Sequence, residues 1–398
     1  MSANKGPLSG IRVLDLGRHV SCPICAQTLG DLGAEVIKLE KTGWGDDTRH
    51  SGKFLGEQSM YFWSNNRNKK SVSVNFRTDE GKQLLHDLIE KSDIILENFR
   101  PGTMEKMGFG WEKVHEINPR IIMGSISGYG AGSPYQNRPG FDSMISAQSG
   151  IMDINKSESD GPKITGGIWF IDILAGMWTT IGVLSALHRR ETTGVGEYID
   201  TAMYDSALFV MNQLLPYAEK TGEISRSSLK NAYDCPAGRY RSKDGYVICL
   251  AGSDGLFQRL LSITDDPFLH DPKFADHDTR LLPEYYDAIN EHVEQLMMTK
   301  TGDEWDEIFD KTGITGGKIK DLNDVLKDPA SHSRNATVKL EVPGFGPVSF
   351  SGFPINMSGE EFGFTPAPAQ VGQDTDEVLS TVLGRTAEEI AAYKASGN

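Results

Sequence analysis

Cysteine is scarce. Four residues in a chain of 398 do not make the disulfide framework that holds small secreted domains together. The opening MSANKGPLSG lacks the apolar run of a secretory leader, so the cytoplasm is the expected location. Basic residues are outnumbered, with 40 Lys and Arg against 55 Asp and Glu and a formal net charge of −15. That excludes nonspecific nucleic-acid binding, which needs a basic surface. It does not exclude a small anionic ligand, because a few local cations can dominate a pocket. Internal repeats and long low-complexity stretches are absent. So is the G-x-G-x-x-G dinucleotide fingerprint. The first strand-to-helix turn reads Leu16-Gly17-Arg18-His19-Val20-Ser21, and the Gly128 to Gly132 run leads into Ser133-Pro134 rather than a helix.

Only one apolar run raises the question of a membrane, Ile168 to Leu187. If its helix starts at Asp172, about sixteen residues precede His188-Arg189-Arg190. They would span about 24 Å, short of a ~30 Å hydrocarbon core. A buried central helix of a large soluble domain fits better. Asp172 follows a Gly166-Gly167 approach and reads as the N-cap, where a short acid meets free backbone N–H groups. Arg189, Arg190 and Gly194 close the helix.

Strand and helix patterns alternate over the first 130 residues. Strands are expected at Ile11–Leu16, Glu35–Glu40, Val72–Phe76, Asp93–Glu97 and Arg120–Ile126, with helices at Pro23–Leu32, Thr78 onward and Met104–Ile117. Short connections make the strands parallel. The expected fold is α/β, a doubly wound, mostly parallel, Rossmann-like sheet whose ligands bind at the carboxyl ends of the strands. From Glu219 the character changes. An Asp244-Gly245 hairpin, a small-residue loop from Ala251 to Gly255 and amphipathic helices at Tyr285–Met298 and Asp303–Asp310 predict a smaller α+β domain. The expected division is a large domain over 1–218, a small one over 219–330, and a segment over 331–398 that rejoins the large domain. Cys22-Pro23-Ile24-Cys25 opens a helix after a strand, where a redox dithiol would sit; the alternative is two small residues filling a tight turn.

Several stretches in one order along the chain resemble the class III CoA-transferases, a family that also holds 2-methylacyl-CoA racemases. They include Leu8 to Leu16, Leu32 to Glu40, Asn68 to Ser71, Glu97-Asn98-Phe99-Arg100-Pro101-Gly102, Ser127 to Gly130, Arg189 to Gly196 and Gly372 to Leu379. The resemblance implies that Asp172 is a nucleophile that takes the acyl group as a mixed anhydride and then carries CoA as a thioester. It implies CoA contacts at Arg18, Lys41, Lys69, Asn98, Lys106 and Met107, and oxyanion donors around Gly252 and Gly255. Coenzyme A is then a substrate, no cofactor is tightly bound, and no metal site is expected. The family's interlocked homodimer is the expected assembly.

The racemases carry Gly-His-Asp where this chain has Gly140-Phe141-Asp142. Phe cannot move a proton, so the transferase reading is preferred to racemase-type proton transfer or to CoA binding without turnover. Asp142 matches an acid implicated in transferase catalysis. The family commonly has Ala-Gly-Pro where this chain has Ser21-Cys22-Pro23, near the acyl end of CoA. Met297 to Phe309, with Pro139 to Asp142, looks most like the branch acting on 2-hydroxy acids.

Overall fold

The structure is a computed structural model and describes residues 6–156, 161–162, 167–224, 233–359 and 362–398. Gly166 of the glycine approach lies outside them. The chain divides into two compact units, one over 1–151, 164–219 and 329–398, the other over 152–163 and 220–328.

The first unit is organised by strands β1 (Arg12–Asp15), β2 (Glu35–Lys41), β3 (Lys69–Val74), β4 (Ile94–Glu97), β5 (Ile122–Ser127) and β6 (Tyr198–Ala202). They lie in the order β3-β2-β1-β4-β5-β6, and every ladder is parallel. The strands of the sheet's interior are apolar runs such as Val13-Leu14 and Ile94-Ile95-Leu96, buried throughout, as a sheet covered on both faces requires. The order reverses between β1 and β4, and the loops leaving these two strands frame a crevice.

Helix α1 (Ser21–Asp31) joins β1 to β2, and α2 (Asp79–Glu90) follows β3, capped by Thr78. The helix expected over 104–117 is two, α3 (Thr103–Met107) and α4 (Trp111–Ile117). Gly108 stops the first in the left-handed region, at φ 88°. The strand expected at Val72–Phe76 starts earlier, because Lys69 already pairs with Val36. A polar loop leads from β5 to α5 (Asp142–Gln148), and then comes the long helix α6 (Phe170–Thr193), closed by Gly194 at φ 71°. By length and composition α6 could cross a membrane. Here it packs against α1, β5, β6 and α7 (Met203–Val210). Asp172 is not its N-cap. Trp169 holds that position, and Asp172 is the third helical residue.

In the second unit, β7 (Ala237–Arg241) and β8 (Tyr246–Leu250) form the Asp244-Gly245 hairpin. A third strand, β9 (Thr315–Lys318), pairs antiparallel with β8. Its sequence, Thr-Gly-Gly-Lys, carries no apolar alternation and gave no sign of a strand. Helices α8 (Asp254–Leu261), α9 (Pro283–Met297) and α10 (Gly302–Thr312) enclose a core of Tyr240, Phe257, Trp305 and Phe309.

Beyond Pro329 the chain belongs to the first unit again. It forms the hairpin β10 (Thr337–Val342) and β11 (Gly346–Ser351), then α11 (Thr375–Thr381) and α12 (Ala387–Ala395). This last part lies along edge strand β3. Ser71 N–H donates to Asp374 Oδ2 at 2.7 Å, Ser73 N–H to Thr375 Oγ1 at 3.0 Å, and the Tyr393 hydroxyl to Ser73 O at 2.8 Å.

Candidate active site

The two loops at the reversal of strand order are tied together by one side chain. Asn98, just past β4, accepts from Arg18 N–H at 2.9 Å and donates to Arg18 O at 2.8 Å. It also donates to Ser21 Oγ at 3.2 Å. A cavity of about 500 Å³ opens beside this joint. Its wall includes Ser21, Asn98, Asp142 and Asp172, with the cations Arg18, Arg100 and Arg138. Tyr61 and Trp169 form an aromatic side, their rings stacked with centroids 4.4 Å apart and planes 5° from parallel.

The two acids are placed by a chain of helix ends. Asp142 opens α5, and its Oδ2 accepts from the N–H groups of Ile171 at 2.7 Å and Asp172 at 3.2 Å. It therefore caps α6 from another element, satisfying donors that the sequence reading had given to Asp172 itself. The loop carrying Asp142 lies against the end of β5, where a side chain on Gly140 would collide with Gly128. Asp172, one turn into α6, turns its carboxyl towards α1, whose N-terminus has no side-chain cap. There it stands near the N–H and hydroxyl of Ser21, which favour its ionised form. Gly176, on the next turn of α6, allows this approach: a Cβ there would sit 2.5 Å from Ser21 O.

Burial dominates the ionisation of both acids. It raises the Asp142 carboxyl above its usual range, against the two N–H donors. Asp172 is pushed up to about 7, by burial first and then by the charge of Asp142, with the Ser21 hydrogen bonds pulling the other way. Burial first, and then the charges of Asp172, Asp46 and Asp142, raise the Tyr61 hydroxyl to about 12. A carboxylate half-ionised near neutrality, in an arginine-bearing cavity at a strand-order reversal, can attack an electrophilic carbonyl of an anionic substrate.

A family model for CoA-transferase family III matches residues 8–375. This chain belongs to that family. It is 33% identical to succinyl-CoA–D-citramalate CoA-transferase of Chloroflexus aurantiacus, over 98% of this chain and 97% of the relative. Human succinyl-CoA:glutarate CoA-transferase is 32% identical, over 96% and 87%. The crystal structure of a CAIB/BAIF family protein from Brucella suis superposes with a TM-score of 0.85 at 30% identity, covering 95% of this chain and 100% of that one.

In this CoA-transferase the residues singled out in the sequence take different positions. Asp172, Asp142, Arg18 and Asn98 meet at the cavity. Lys41 and Lys106 are exposed, and Met107 packs against the core beneath the sheet. Lys69 is fully buried. Its Nζ donates to Asp15 Oδ2 at 2.7 Å, Pro23 O at 2.9 Å and Asn66 Oδ1 at 2.9 Å, which leaves no proton for a phosphate. The CoA contact implied for Lys69 is thus replaced by an internal ion pair. Gly252 and Gly255 belong to the second unit. Gly252 precedes α8, and Gly255 lies within it, because Ser253 caps that helix through Leu256 N–H.

The two cysteines do not form a reactive dithiol. Both are buried and free. Burial raises the Cys22 thiol well above its usual range and Cys25 to about 12, the reverse of what thiolate chemistry requires. Sequence reasoning missed Ser21, Tyr61, Arg100, Arg138 and Trp169 as wall residues. Ser21 had left a signal as the departure from Ala-Gly-Pro, and Arg100 as part of the Glu97 to Gly102 stretch.

Proposed function

We propose that this CoA-transferase moves CoA from an acyl-CoA donor to a small carboxylic acid through covalent intermediates on Asp172. The observation that carries the reading is the placement of Asp172, its carboxyl raised to about 7 at the cavity wall. An Asp172 oxygen attacks the thioester carbonyl carbon. The C–S bond breaks, CoA leaves as thiolate with the electron pair, and a mixed anhydride remains. The thiolate then adds to the aspartyl carbonyl carbon, expelling the donor acid as carboxylate and leaving an aspartyl-CoA thioester. The acceptor carboxylate reverses both steps. No proton is gained or lost, so the site needs an ionised Asp172 and shelter from water rather than a general acid. Tyr61 and Trp169 supply that shelter.

Arg18, Arg100 and Arg138 offer counter-charge to CoA phosphates and to the acceptor acid. The relatives named for succinyl-CoA, citramalate and glutarate make succinyl-CoA the first donor to try, with small di- and 2-hydroxycarboxylic acids as acceptors. Lys41, Lys106 and Met107 as CoA contacts, Gly252 and Gly255 as oxyanion donors, and the interlocked homodimer remain proposals by resemblance. Phe141, at the cavity wall, offers no second base for racemisation.

The test is intact-protein mass spectrometry after incubation with succinyl-CoA or acetyl-CoA and hydroxylamine. A hydroxamate or CoA adduct mapping to Asp172, absent from Asp172→Ala, is the expected result. Saturable CoA binding with no adduct from any donor would sink the covalent reading.

A further inference from the structure

Ser21 stands between two groups with different claims on it. Asn98 Nδ2 donates to Ser21 Oγ at 3.2 Å, so the hydroxyl oxygen is an acceptor on that side and its proton is free to be donated elsewhere. The Asn98 amide cannot turn away, because its other bonds, to Arg18 N–H at 2.9 Å and Arg18 O at 2.8 Å, fix the fork from both ends. The remaining direction for the hydroxyl proton is the carboxyl of Asp172. The Ser21 N–H, at the uncapped start of α1, faces the same carboxyl. All three side chains line the cavity. The absence of a side chain at Gly176 fixes how closely α1 and α6 approach.

We propose that the Ser21 hydroxyl and N–H, oriented by Asn98, form an oxyanion hole for the aspartyl carbonyl itself, serving the half-reactions in which CoA thiolate or acceptor carboxylate adds to Asp172. This rests on the covalent role proposed for Asp172. When thiolate sulfur bonds to the aspartyl carbonyl carbon, the C=O electron pair moves onto the carboxyl oxygen. That oxygen then carries a full negative charge facing two donors already in place. Collapse returns the pair, breaks the bond from the carbonyl carbon to the bridging anhydride oxygen and releases the donor carboxylate. In the first step the charge develops on the substrate's carbonyl oxygen and not on the aspartyl carboxyl that Ser21 faces, so Ser21 serves the steps in which the aspartyl carbon is attacked. Ser21 is a catalytic residue and Asn98 a positioning residue. The family's usual alanine at this position retains the N–H alone, so this chain holds a second donor that its relatives commonly lack.

The experiment follows single turnovers with succinyl-CoA. Reactions are quenched in acid, and the Asp172 anhydride and the aspartyl-CoA thioester are told apart by their different masses on the intact protein and on the Asp172 peptide. At about pH 9, where Asp172 is ionised with or without the hydroxyl, thioester formation in Ser21→Ala falls about tenfold or more while anhydride formation and the donor KM stay within twofold of wild type, so anhydride accumulates. Ser21→Thr, which restores a hydroxyl, returns thioester formation towards wild type. Equal slowing of both steps in Ser21→Ala, or thioester formation within twofold of wild type, overturns the proposal. A wild-type protein that forms no adduct at Asp172 overturns the covalent reading and this proposal with it. Normal wild-type adducts with an unaffected Ser21→Ala overturn the proposal alone.

Discussion

Two sets of buried charges lie close together at the carboxyl edge of the sheet, and they are handled in opposite ways. In one, Asp15 and Asp46 meet Lys38 and Lys69: Lys38 Nζ stands 3.0 Å from Asp46 and 3.6 Å from Asp15, and Lys69 stands 2.7 Å from Asp15. Two acids and two lysines cancel. In spite of burial, the two lysines hold Asp15 below its usual range, and Lys38 with the Thr48 hydrogen bonds holds Asp46 at about 2; the pairing raises Lys38, while at Lys69 burial wins and lowers the ammonium. In the other set, Asp142 and Asp172 have each other, backbone N–H groups and Ser21, and no lysine or arginine is among the groups shifting either carboxyl. Paired burial fixes the loops after β1 and β2. Unpaired burial leaves a carboxylate raised to about 7, the group to which the proposed attack on a carbonyl is assigned.

The comparison breaks most visibly at Asp172. Asp172→Asn should lower transfer at least about a thousandfold, as expected for loss of a covalent nucleophile. It should also raise Tm at pH 8. The folded carboxyl titrates near 7 against a reference of 3.8, so the folded state holds the proton more tightly. The resulting stability is full below 3.8 and is lost as pH rises through about 7, so above that pH the neutral amide is the better tenant. An unchanged Tm at pH 8 would place Asp172 among the compensated charges.

Lys69→Met tests the paired set. It leaves Asp15 buried with Lys38 alone at 3.6 Å and should cost about 3–5 kcal/mol in denaturant unfolding. The donor KM of the folded fraction should hold. A raised KM with stability intact would restore Lys69 to the CoA contacts.

Asp142→Asn sharpens the unpaired set. kcat/KM should fall below about pH 7 in wild type, as Asp172 is protonated. Removing the Asp142 charge should move this limb to lower pH by less than about one unit, since burial is the larger cause. A limb that moves down further than this would contradict the ordering of causes, and one that moves up would contradict the sign of the Asp142 effect. The smallest effect belongs to Cys22→Ser with Cys25→Ser, where turnover should stay within about twofold, because both thiols are packing groups. Loss of activity that tracks oxidant concentration in wild type alone would reopen the dithiol reading.

Much of the sheet was legible because its strands are short apolar runs bounded by turn residues, and Ile94-Ile95-Leu96 has few other uses. Thr78 was legible as a cap because its partner, Gly81 N–H, is three residues away. The cap of α6 was not, because its partner Asp142 is about thirty residues distant and no local pattern encodes it. Lys69 was misread for a related reason. The resemblance gave it to CoA and the strand was expected only from Val72, so nothing local showed that the register of β3 against β2 turns Lys69 inward towards Asp15. Strand β9 was hidden because Gly316-Gly317 joins the sheet through its backbone, with no apolar side chains to announce it. Arg100 and Arg138 reach the cavity from loops, where spacing carries no information about direction.

The closing stretch of the chain does one more thing by lying along β3. An edge strand carries a row of backbone donors and acceptors that another chain's strand can zip onto. Asp374, Thr375 and Tyr393 occupy those of Ser71 and Ser73, with side chains except at Ser71 O, which accepts from Asp374 N–H at 3.0 Å. A chain shortened before Asp374 would still hold its cavity residues, yet it would present β3 as an open template. Its first symptom would be clumping rather than a loss of chemistry.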